Sequence, residues 1–243
     1  MDEIKIIFQD KDIIILDKPS GIIVNRSDTT KNLVTVQDWM ETQFGIQNSE
    51  ISINKESDFY KRSGIVHRLD KETSGILIAA KNEEAFLNMQ NQFKERIVKK
   101  TYITLAHGKI LPREGEIKAS VGRLPWNRMR FGIVAGGKDS ITKYKVLEYF
   151  EKQTKRGNFL SLLEAYPETG RTHQIRVHLQ YIGHPIFSDF LYAGRKTSRQ
   201  DRKLLERVFL HASRISFDHP KTGKKMSFES ELPSQLSSVL KNL

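Results

Sequence analysis

The nine residues HRLDKETSG, from His67 to Gly75, lead directly into the apolar run Ile76 to Ala80. A short apolar run that follows polar turn residues predicts a buried β-strand. The loop therefore places one carboxylate, Asp70, among basic neighbours at the edge of a strand. Taken alone, Asp70 also suits a simple turn, because aspartate hydrogen-bonds readily to nearby backbone amides.

The residues after this strand predict a helix that runs from Asn82 to about Arg96. Asparagine is a favoured N-cap, and the two glutamates that follow it suit the first turn of a helix. The buried face of this helix is predicted to carry Phe86, Met89 and Phe93.

Further out, β-strand patterns dominate the chain. The runs Ile4 to Phe8 and Ile13 to Leu16 predict an N-terminal hairpin. Other strand-like runs are Thr101 to Ala106, Ile141 to Phe150, Phe159 to Tyr166, Leu210 to Phe217 and Lys225 to Glu229. The predicted fold class is α+β, with a single domain over residues 1 to 243 around an extended, mostly antiparallel sheet; two small domains are the alternative.

A second dense polar segment, TGRTHQIRVHL, occupies Thr169 to Leu179. Its pattern fits a helix or a strand, and Gly183 favours a helix over Thr172 to Gly183, because glycine commonly follows the last turn of a helix. Arg171 then lies near the start of the helix, although, taken alone, it is better explained as a solvated surface charge. The residues Ser49 to Lys61 are predicted to form a loop, and Gly194 to Arg207 a basic loop that runs into a helix.

The composition favours a polyanionic partner. The 243 residues contain 40 Lys and Arg against 29 Asp and Glu, which leaves a formal charge of +11. A surplus of this size attracts nucleic acid, although many basic proteins bind none.

The chain has no cysteine, so disulfides and thiolate chemistry are not expected. Its longest N-terminal apolar run is only Ile13 to Leu16, so a membrane span is not expected either. A cytoplasmic protein is the expectation.

Several other chemistries lack their sequence patterns. His173 and His178 are five residues apart, which separates them by about 140° on a helix, so a shared metal is not expected. The residues Gly136, Gly137 and Lys138 lack the flanking pattern of a phosphate-binding P-loop and are interpreted as a turn. Neither a serine-hydrolase elbow nor a dinucleotide-binding glycine motif is present.

Taken together, the two polar segments resemble the RluA family of pseudouridine synthases. The family hallmark H-R-L-D-x-x-T-S-G is matched by His67 to Gly75 without a departure. Three further blocks agree in order, namely DKPSG at Asp17 to Gly21, KKTY at Lys99 to Tyr102, and GRTHQ at Gly170 to Gln174, which is followed by RVH. Asn25 departs from the histidine that relatives often carry, and the chain begins at the catalytic-domain hairpin without room for an N-terminal S4 domain.

The resemblance implies the pseudouridine synthase fold and an isomerase that converts uridine in RNA to pseudouridine without a cofactor, a nucleotide or a metal. It implies that Asp70 is the essential carboxylate, either as a nucleophile or as the base that removes the ribose 2′ proton. Arg171 is the implied guanidinium that favours the ionised carboxylate, and Tyr102 the tyrosine near the base or the C5 proton. Arg68 resembles the arginine that fills the space left by a flipped uridine.

RNA is the expected partner, and large-subunit ribosomal RNA is favoured over transfer RNA by analogy with the family. A monomer is expected. Trp126 and Phe131 are candidates for stacking on bases or for core packing. The remaining predicted RNA contacts are His67, Lys94, Arg96, Lys99, Lys100, Arg123, Arg128, Arg130, His173, Arg176 and the basic cluster from Arg195 to Lys203.

Two rival functions remain open at this point. A catalytically silent RNA-binding module would have the same basic surface without needing Asp70, Tyr102 and Arg171 together. A metal-dependent nuclease would need clustered carboxylates and histidines at ligand spacing, which the sequence does not show.

Overall fold

The computed structural model describes residues 3–27, 30, 33–44, 56–154 and 156–243, without the side chains of residues 128, 129 and 153. Two compact units are present: Met1–Val98 with Arg214–Ser230, and Lys99–Ser213 with Glu231–Leu243. In chain order the elements are β1 (Lys5–Gln9), β2 (Ile13–Lys18), α1 (Val36–Phe44), α2 (Asp58–Lys61), β3 (Ser74–Ala80), α3 (Glu83–Lys94), β4 (Lys99–His107), β5 (Glu114–Lys118), β6 (Val121–Leu124), β7 (Asn127–Ile133), β8 (Ile141–Thr154), β9 (Gly157–Pro167), α4 (Gln174–Tyr181), α5 (Arg195–Asp201), β10 (Leu210–Asp218), β11 (Lys225–Glu229) and α6 (Ser234–Lys241).

The first unit is built on three antiparallel strands, in the order β1, β2, β3. Every residue of β3 is buried, and so are the four apolar residues that begin β2, with Ile15 opposite Ile78. Burial of each leucine or isoleucine side chain among them contributes about 1.5 to 3 kcal/mol. Helix α3 is capped by Asn82, whose Oδ1 accepts from the amide of Ala85 at 2.9 Å. This core supports the loop that carries Asp70.

The second unit is built on four antiparallel strands, in the order β4, β9, β8, β5. Tyr102 of β4 lies opposite Ala165 of β9, and Tyr144 of β8 lies opposite the same alanine on the other side. Strands β6 and β7 form a separate hairpin. Helix α4 is buried over most of its length and follows the turn that carries Arg171.

The α+β class and the mostly antiparallel pairing are confirmed. The N-terminal hairpin, the strand after Gly75, the Asn82 cap and the helix before Gly183 also form as predicted. The loop prediction for Ser49 to Lys61 is wrong at its end, because Asp58–Lys61 forms one helical turn capped by Ser57; residues 49–55 lie outside the described part of the chain. The basic segment after Gly194 is helical from its first residue rather than a loop. A single domain stays a prediction.

Candidate active site

Asp70 lies in the turn that leads into β3 and is half-buried. Its backbone carbonyl accepts a hydrogen bond from the amide of Thr73 at 3.1 Å, which closes the turn. Gly75 ends the turn with a φ of +110°, a conformation that side-chain-bearing residues rarely adopt. The local sequence therefore fixes the backbone of the turn that carries the half-buried Asp70.

Lys18 is fully buried, with no exposed surface, directly beneath this turn. A buried ammonium must be satisfied by acceptors, because leaving it unpaired in the interior is very costly. Its Nζ donates to the carbonyl oxygens of Pro19 at 2.8 Å, Ile22 at 2.9 Å and Lys71 at 3.3 Å. The lysine thus joins the N-terminal loop to the residue that follows Asp70.

Two more hydrogen bonds join the same two loops. The amide of Gly21 donates to the carbonyl of Lys71 at 2.8 Å, and the hydroxyl of Ser20 donates to the carbonyl of Glu72 at 2.9 Å. The DKPSG block is therefore a support for the Asp70 turn, a role that its sequence did not reveal.

His67 and Arg68 differ in their surroundings. The Nε2 atom of His67 accepts from the buried amide of Ile78 at 2.9 Å, and its ring lies 4.8 Å from that of Phe93. This bond and the ring packing hold His67 against β3, and its contact with RNA stays a prediction. Arg68 is exposed, as an RNA-contacting residue must be.

In the second unit, Tyr102 is a buried residue of β4, with 9% of its surface exposed. Lys100 lies two residues earlier, so both side chains extend from the same face of the strand. A Cβ placed on Gly170 would lie 3.8 Å from the Lys100 Nζ, which locates that ammonium beside the turn of Arg171. The KKTY block and the GRTHQ block therefore meet within this unit.

Burial lowers the pKa of the Lys100 ammonium to about 8. We expect a 13C-lysine NMR titration to show one Cε resonance with a midpoint near 8, well below the ordinary lysine range around 10.4. The resonance should disappear in Lys100→Arg. If every lysine titrates in the ordinary range, the desolvation of the Lys100 ammonium is contradicted.

The lowered pKa of Lys100 also predicts how stability depends on pH. Between about pH 8 and pH 10 the unfolded chain binds the proton that the folded protein has lost, so folding is favoured increasingly as the pH rises. The difference in unfolding free energy between wild type and Lys100→Met should therefore change across that window and not below it.

The turn before α4 is organised by Gln174, which is buried. Its Oε1 accepts from the amide of Arg171 at 3.0 Å and from the hydroxyl of Thr169 at 2.6 Å. Its Nε2 donates to the carbonyl of Ile141 at 2.9 Å and to the hydroxyl of Thr142 at 3.0 Å. Gln174 therefore positions the backbone of Arg171 against the end of the sheet.

We expect Gln174→Ala to lower the free energy of unfolding by about 2 kcal/mol, because the amide of Arg171, the carbonyl of Ile141 and the hydroxyls of Thr169 and Thr142 each lose a hydrogen bond to the buried Gln174. Urea unfolding measures this loss. Gln180→Ala is the matched control, since Gln180 is exposed on the same helix. Equal losses in the two variants would contradict the role of Gln174.

Arg171 is exposed and lines a cavity of about 390 Å³. Its Nε and Nη2 atoms lie 3.4 and 3.5 Å from the carbonyl of Asp139. The cavity is also lined by Arg123, Lys138 and Phe131, and the Arg123 guanidinium lies 5.1 Å from the Phe131 ring centroid. The Gly136 to Lys138 segment does form a turn, with Gly136 at a φ of +73°, but it also forms part of this basic cavity.

The other predicted RNA contacts fall into two groups. Lys94, Arg96, Lys99 and Arg123 are exposed, and Arg130 is half-buried. Trp126 is 79% exposed, which suits a contact with a base better than core packing. The side chain of Arg128 lies outside the described part of the chain.

Arg176 is buried and His173 is half-buried, and both contact side chains of the second unit. The buried Arg176 guanidinium pairs with Asp189 through two bonds, of 2.7 and 2.9 Å. The Nδ1 atom of His173 lies 2.9 Å from the Tyr192 hydroxyl. Arg176 is therefore corrected from a predicted RNA contact to a structural ion pair, because its charge is already neutralised away from solvent.

Among the described residues, one group of three has its oxygen and nitrogen atoms close enough for a metal: Asp10, Asp12 and His219, within 4.8 Å of one another. The His219 Nε2 already pairs with Asp10 at 2.8 Å, and its Nδ1 accepts from the amides of Lys221 and Thr222 at 3.2 and 3.1 Å. Both ring nitrogens therefore have protein partners.

In the described part of the chain, no helix has the length and apolar character to cross a membrane.

The sequence and structure are similar to those of known RNA-modifying proteins. The model of the family described as RNA pseudouridylate synthase matches residues 12–181. A Ribosomal large subunit pseudouridine synthase D of Nitrosomonas europaea is 39% identical over 241 residues, which cover 98% of this chain and 64% of that protein. An Uncharacterized RNA pseudouridine synthase, YlyB, of Bacillus subtilis is 35% identical over 99% of this chain and 73% of that protein.

A solved human structure, RNA Pseudouridylate Synthase Domain Containing 1, has a TM-score of 0.69 and 26% identity, covering 99% of this chain and 94% of its own. This chain thus spans 64% of the length of the relative from Nitrosomonas europaea and 60% of the similar protein D of Neisseria meningitidis.

Proposed function

The chain belongs to the RNA pseudouridylate synthase family, and from that premise we propose that it is an RNA pseudouridine synthase, an isomerase of uridine in RNA. The observation that carries the proposal is the Asp70 turn, whose hallmark sequence is complete and whose backbone is supported by Lys18, Ser20 and Gly21. Hydrogen bonds that fix the backbone of this turn suit a carboxylate that must be positioned for chemistry.

In the proposed reaction, the C1′–N1 bond of a uridine breaks, the uracil rotates, a C1′–C5 bond forms, and the C5 proton is lost while N1 gains one. Asp70 acts as the nucleophile at C1′ or as the base for the ribose 2′ proton. The rearrangement is redox-neutral. It consumes neither hydride nor nucleotide energy, so no cofactor is proposed.

The second unit contributes the other proposed catalytic groups. Tyr102 is assigned to the uracil and its C5 proton, and its buried position on β4 suits a group whose orientation must be fixed. Arg171 is assigned to the electrostatics of the carboxylate, because a guanidinium opposes the rise in carboxyl pKa that RNA phosphates cause. Arg68 is assigned to the space that the flipped uridine leaves.

We propose ribosomal RNA as the substrate, because the similar proteins from Nitrosomonas europaea and Neisseria meningitidis are named for the ribosomal large subunit. Transfer RNA is the second candidate. The formal charge of +11 and the exposed basic residues Lys94, Arg96, Lys99 and Arg123 support binding to either. We also propose that the chain forms a single catalytic domain, is a monomer and acts in the cytoplasm.

The test is to incubate the protein with unmodified transcripts of large-subunit ribosomal RNA and of transfer RNA, and to analyse the digested nucleosides. Pseudouridine has the mass of uridine but separates from it by chromatography, so its appearance is unambiguous. The proposal predicts pseudouridine in the ribosomal transcript. Pseudouridine in neither transcript, with salt-sensitive binding to both, would instead support a silent RNA-binding module.

A further inference from the structure

A second cavity of the second unit, of about 590 Å³, is lined by arginines. It is separate from the cavity of Arg171, with which it shares no lining residue. None of its described lining residues is acidic. We call it the arginine cavity, and its arginines are Arg130, Arg156, Arg195, Arg199 and Arg202.

The arginine cavity is adjacent to the Arg171 cavity through strand β7. Arg130 lines the arginine cavity, and the next residue, Phe131, lines the Arg171 cavity. Successive side chains of a strand point to opposite faces, which explains why these neighbours line different cavities. The Tyr192 hydroxyl accepts from the amide of Phe131 at 3.0 Å, and the Arg130 guanidinium lies 5.3 Å from the Tyr192 ring centroid. The two cavities therefore lie on either side of the same strand of this unit.

The charges of the arginine cavity are arranged for an anionic ligand. Five like charges around one cavity repel one another, and a bound anion reduces that repulsion. Phosphate is such an anion, and the planar guanidinium group of arginine binds it through two parallel hydrogen bonds. The Nε atom of Arg130 is buried and has no hydrogen-bond partner among the described residues. Arg195 and Arg199 are exposed at the rim.

An aromatic ring accompanies these charges. Phe190 lines the cavity and is 53% exposed, and the guanidinium of Arg202 lies 5.0 Å from its ring centroid. An exposed phenylalanine in the arginine cavity provides a stacking surface for a base. Stacking of bases on aromatic side chains beside basic residues is how proteins bind single-stranded nucleic acid with little sequence preference. A free phosphate would use the arginines but not the ring.

We propose that the arginine cavity is a second RNA-contact site, which binds a single-stranded segment of the substrate by stacking a base on Phe190 and bonding the adjacent phosphates through Arg195 and Arg199. The identity of this RNA as the substrate rests on the proposed function, whereas the binding itself does not. The site contributes to affinity and not to the chemical step, so its loss raises KM and leaves kcat unchanged.

The test compares the affinities of wild type, Phe190→Ala, Phe190→Tyr and Arg199→Gln for a labelled oligouridylate of about twelve nucleotides. Phe190→Ala should weaken binding roughly tenfold, the loss of one base stack, and Phe190→Tyr should retain it. Arg199→Gln should reduce the slope of log K against log salt by about 0.7. Arg113→Gln is the matched control, because Arg113 is an exposed arginine of the same unit that lines neither cavity.

The site is contradicted if Phe190→Ala and Arg199→Gln bind the single strand as Arg113→Gln does, or if Phe190→Ala weakens an RNA duplex equally. Competition by inorganic phosphate that is unaffected by Phe190→Ala, together with unchanged RNA affinity, would assign the cavity to free phosphate and overturn the proposal. Pseudouridine formation by wild type separates the outcomes. If wild type isomerises uridine while the variants bind normally, only this site fails; if wild type is inactive while the variants lose affinity, only the proposed function fails.

Discussion

Replacing Asp70 with asparagine is expected to lower the single-turnover rate of pseudouridine formation by a factor on the order of 10⁴ or more, the scale of loss when a nucleophile or base is removed. Asparagine has nearly the shape of aspartate but can neither attack C1′ nor accept a proton at neutral pH. The fold should persist, because the turn is closed by backbone bonds such as that from the Thr73 amide to the Asp70 carbonyl.

The matched control is Asp58→Asn, since Asp58 is an exposed carboxylate of the same unit, at the start of α2. It should react at the rate of wild type. RNA affinity should be nearly equal in all three proteins, which separates a chemical defect from a binding defect. Retention of more than a few per cent of the rate by Asp70→Asn would remove Asp70 from the chemistry.

Lys18→Met is expected to lower the free energy of unfolding by about 2 to 4 kcal/mol. Methionine nearly matches the shape of the lysine stem but leaves the carbonyl oxygens of Pro19, Ile22 and Lys71 without the ammonium. Because one of these is the carbonyl of Lys71, the Asp70 turn should also lose order. The rate of pseudouridine formation should therefore fall even at temperatures where the variant is fully folded.

Urea unfolding and single-turnover rates measure the two effects of Lys18→Met separately. The control is Lys11→Met, which makes the same substitution at an exposed residue of the hairpin turn. An unfolding free energy for Lys18→Met within about 0.5 kcal/mol of the control would show that the buried ammonium does not hold the two loops together.

The sequence predicts local elements well where the pattern is set by near neighbours. Helix α3 follows from its asparagine cap and apolar spacing, and β3 follows from an unbroken apolar run. Helix α4 was ambiguous by periodicity and was decided by Gly183, which takes a φ of +88° after the last turn. In each case the deciding information lies within a few residues.

The roles of Lys18, Arg176 and the Gly136 to Lys138 turn could not be predicted in the same way. Lys18 contacts Lys71, 53 residues away, and lysine is by default an exposed residue. Arg176 is neutralised by Asp189, which no spacing rule connects to it. The glycine turn joins the Arg171 cavity only through the fold of the second unit. Long-range contacts determine all three.

The same limit applies to the Asp10, Asp12 and His219 group. Asp10 and His219 are 209 residues apart in the chain, so the sequence shows no cluster, yet the fold brings them within 2.8 Å. Their mutual hydrogen bond joins the first hairpin turn to the turn between β10 and β11. It therefore contributes to the structure of the first unit.

The most direct test of uridine isomerisation by this chain is tritium release from RNA labelled with [5-³H]uridine. The bond from C1′ to C5 cannot form without loss of the C5 hydrogen, so release must match pseudouridine formation one for one. We expect matched release by wild type and Asp58→Asn and none by Asp70→Asn. Absence of release by wild type from both ribosomal and transfer RNA, while both RNAs still bind, would contradict the claim that this chain isomerises uridine.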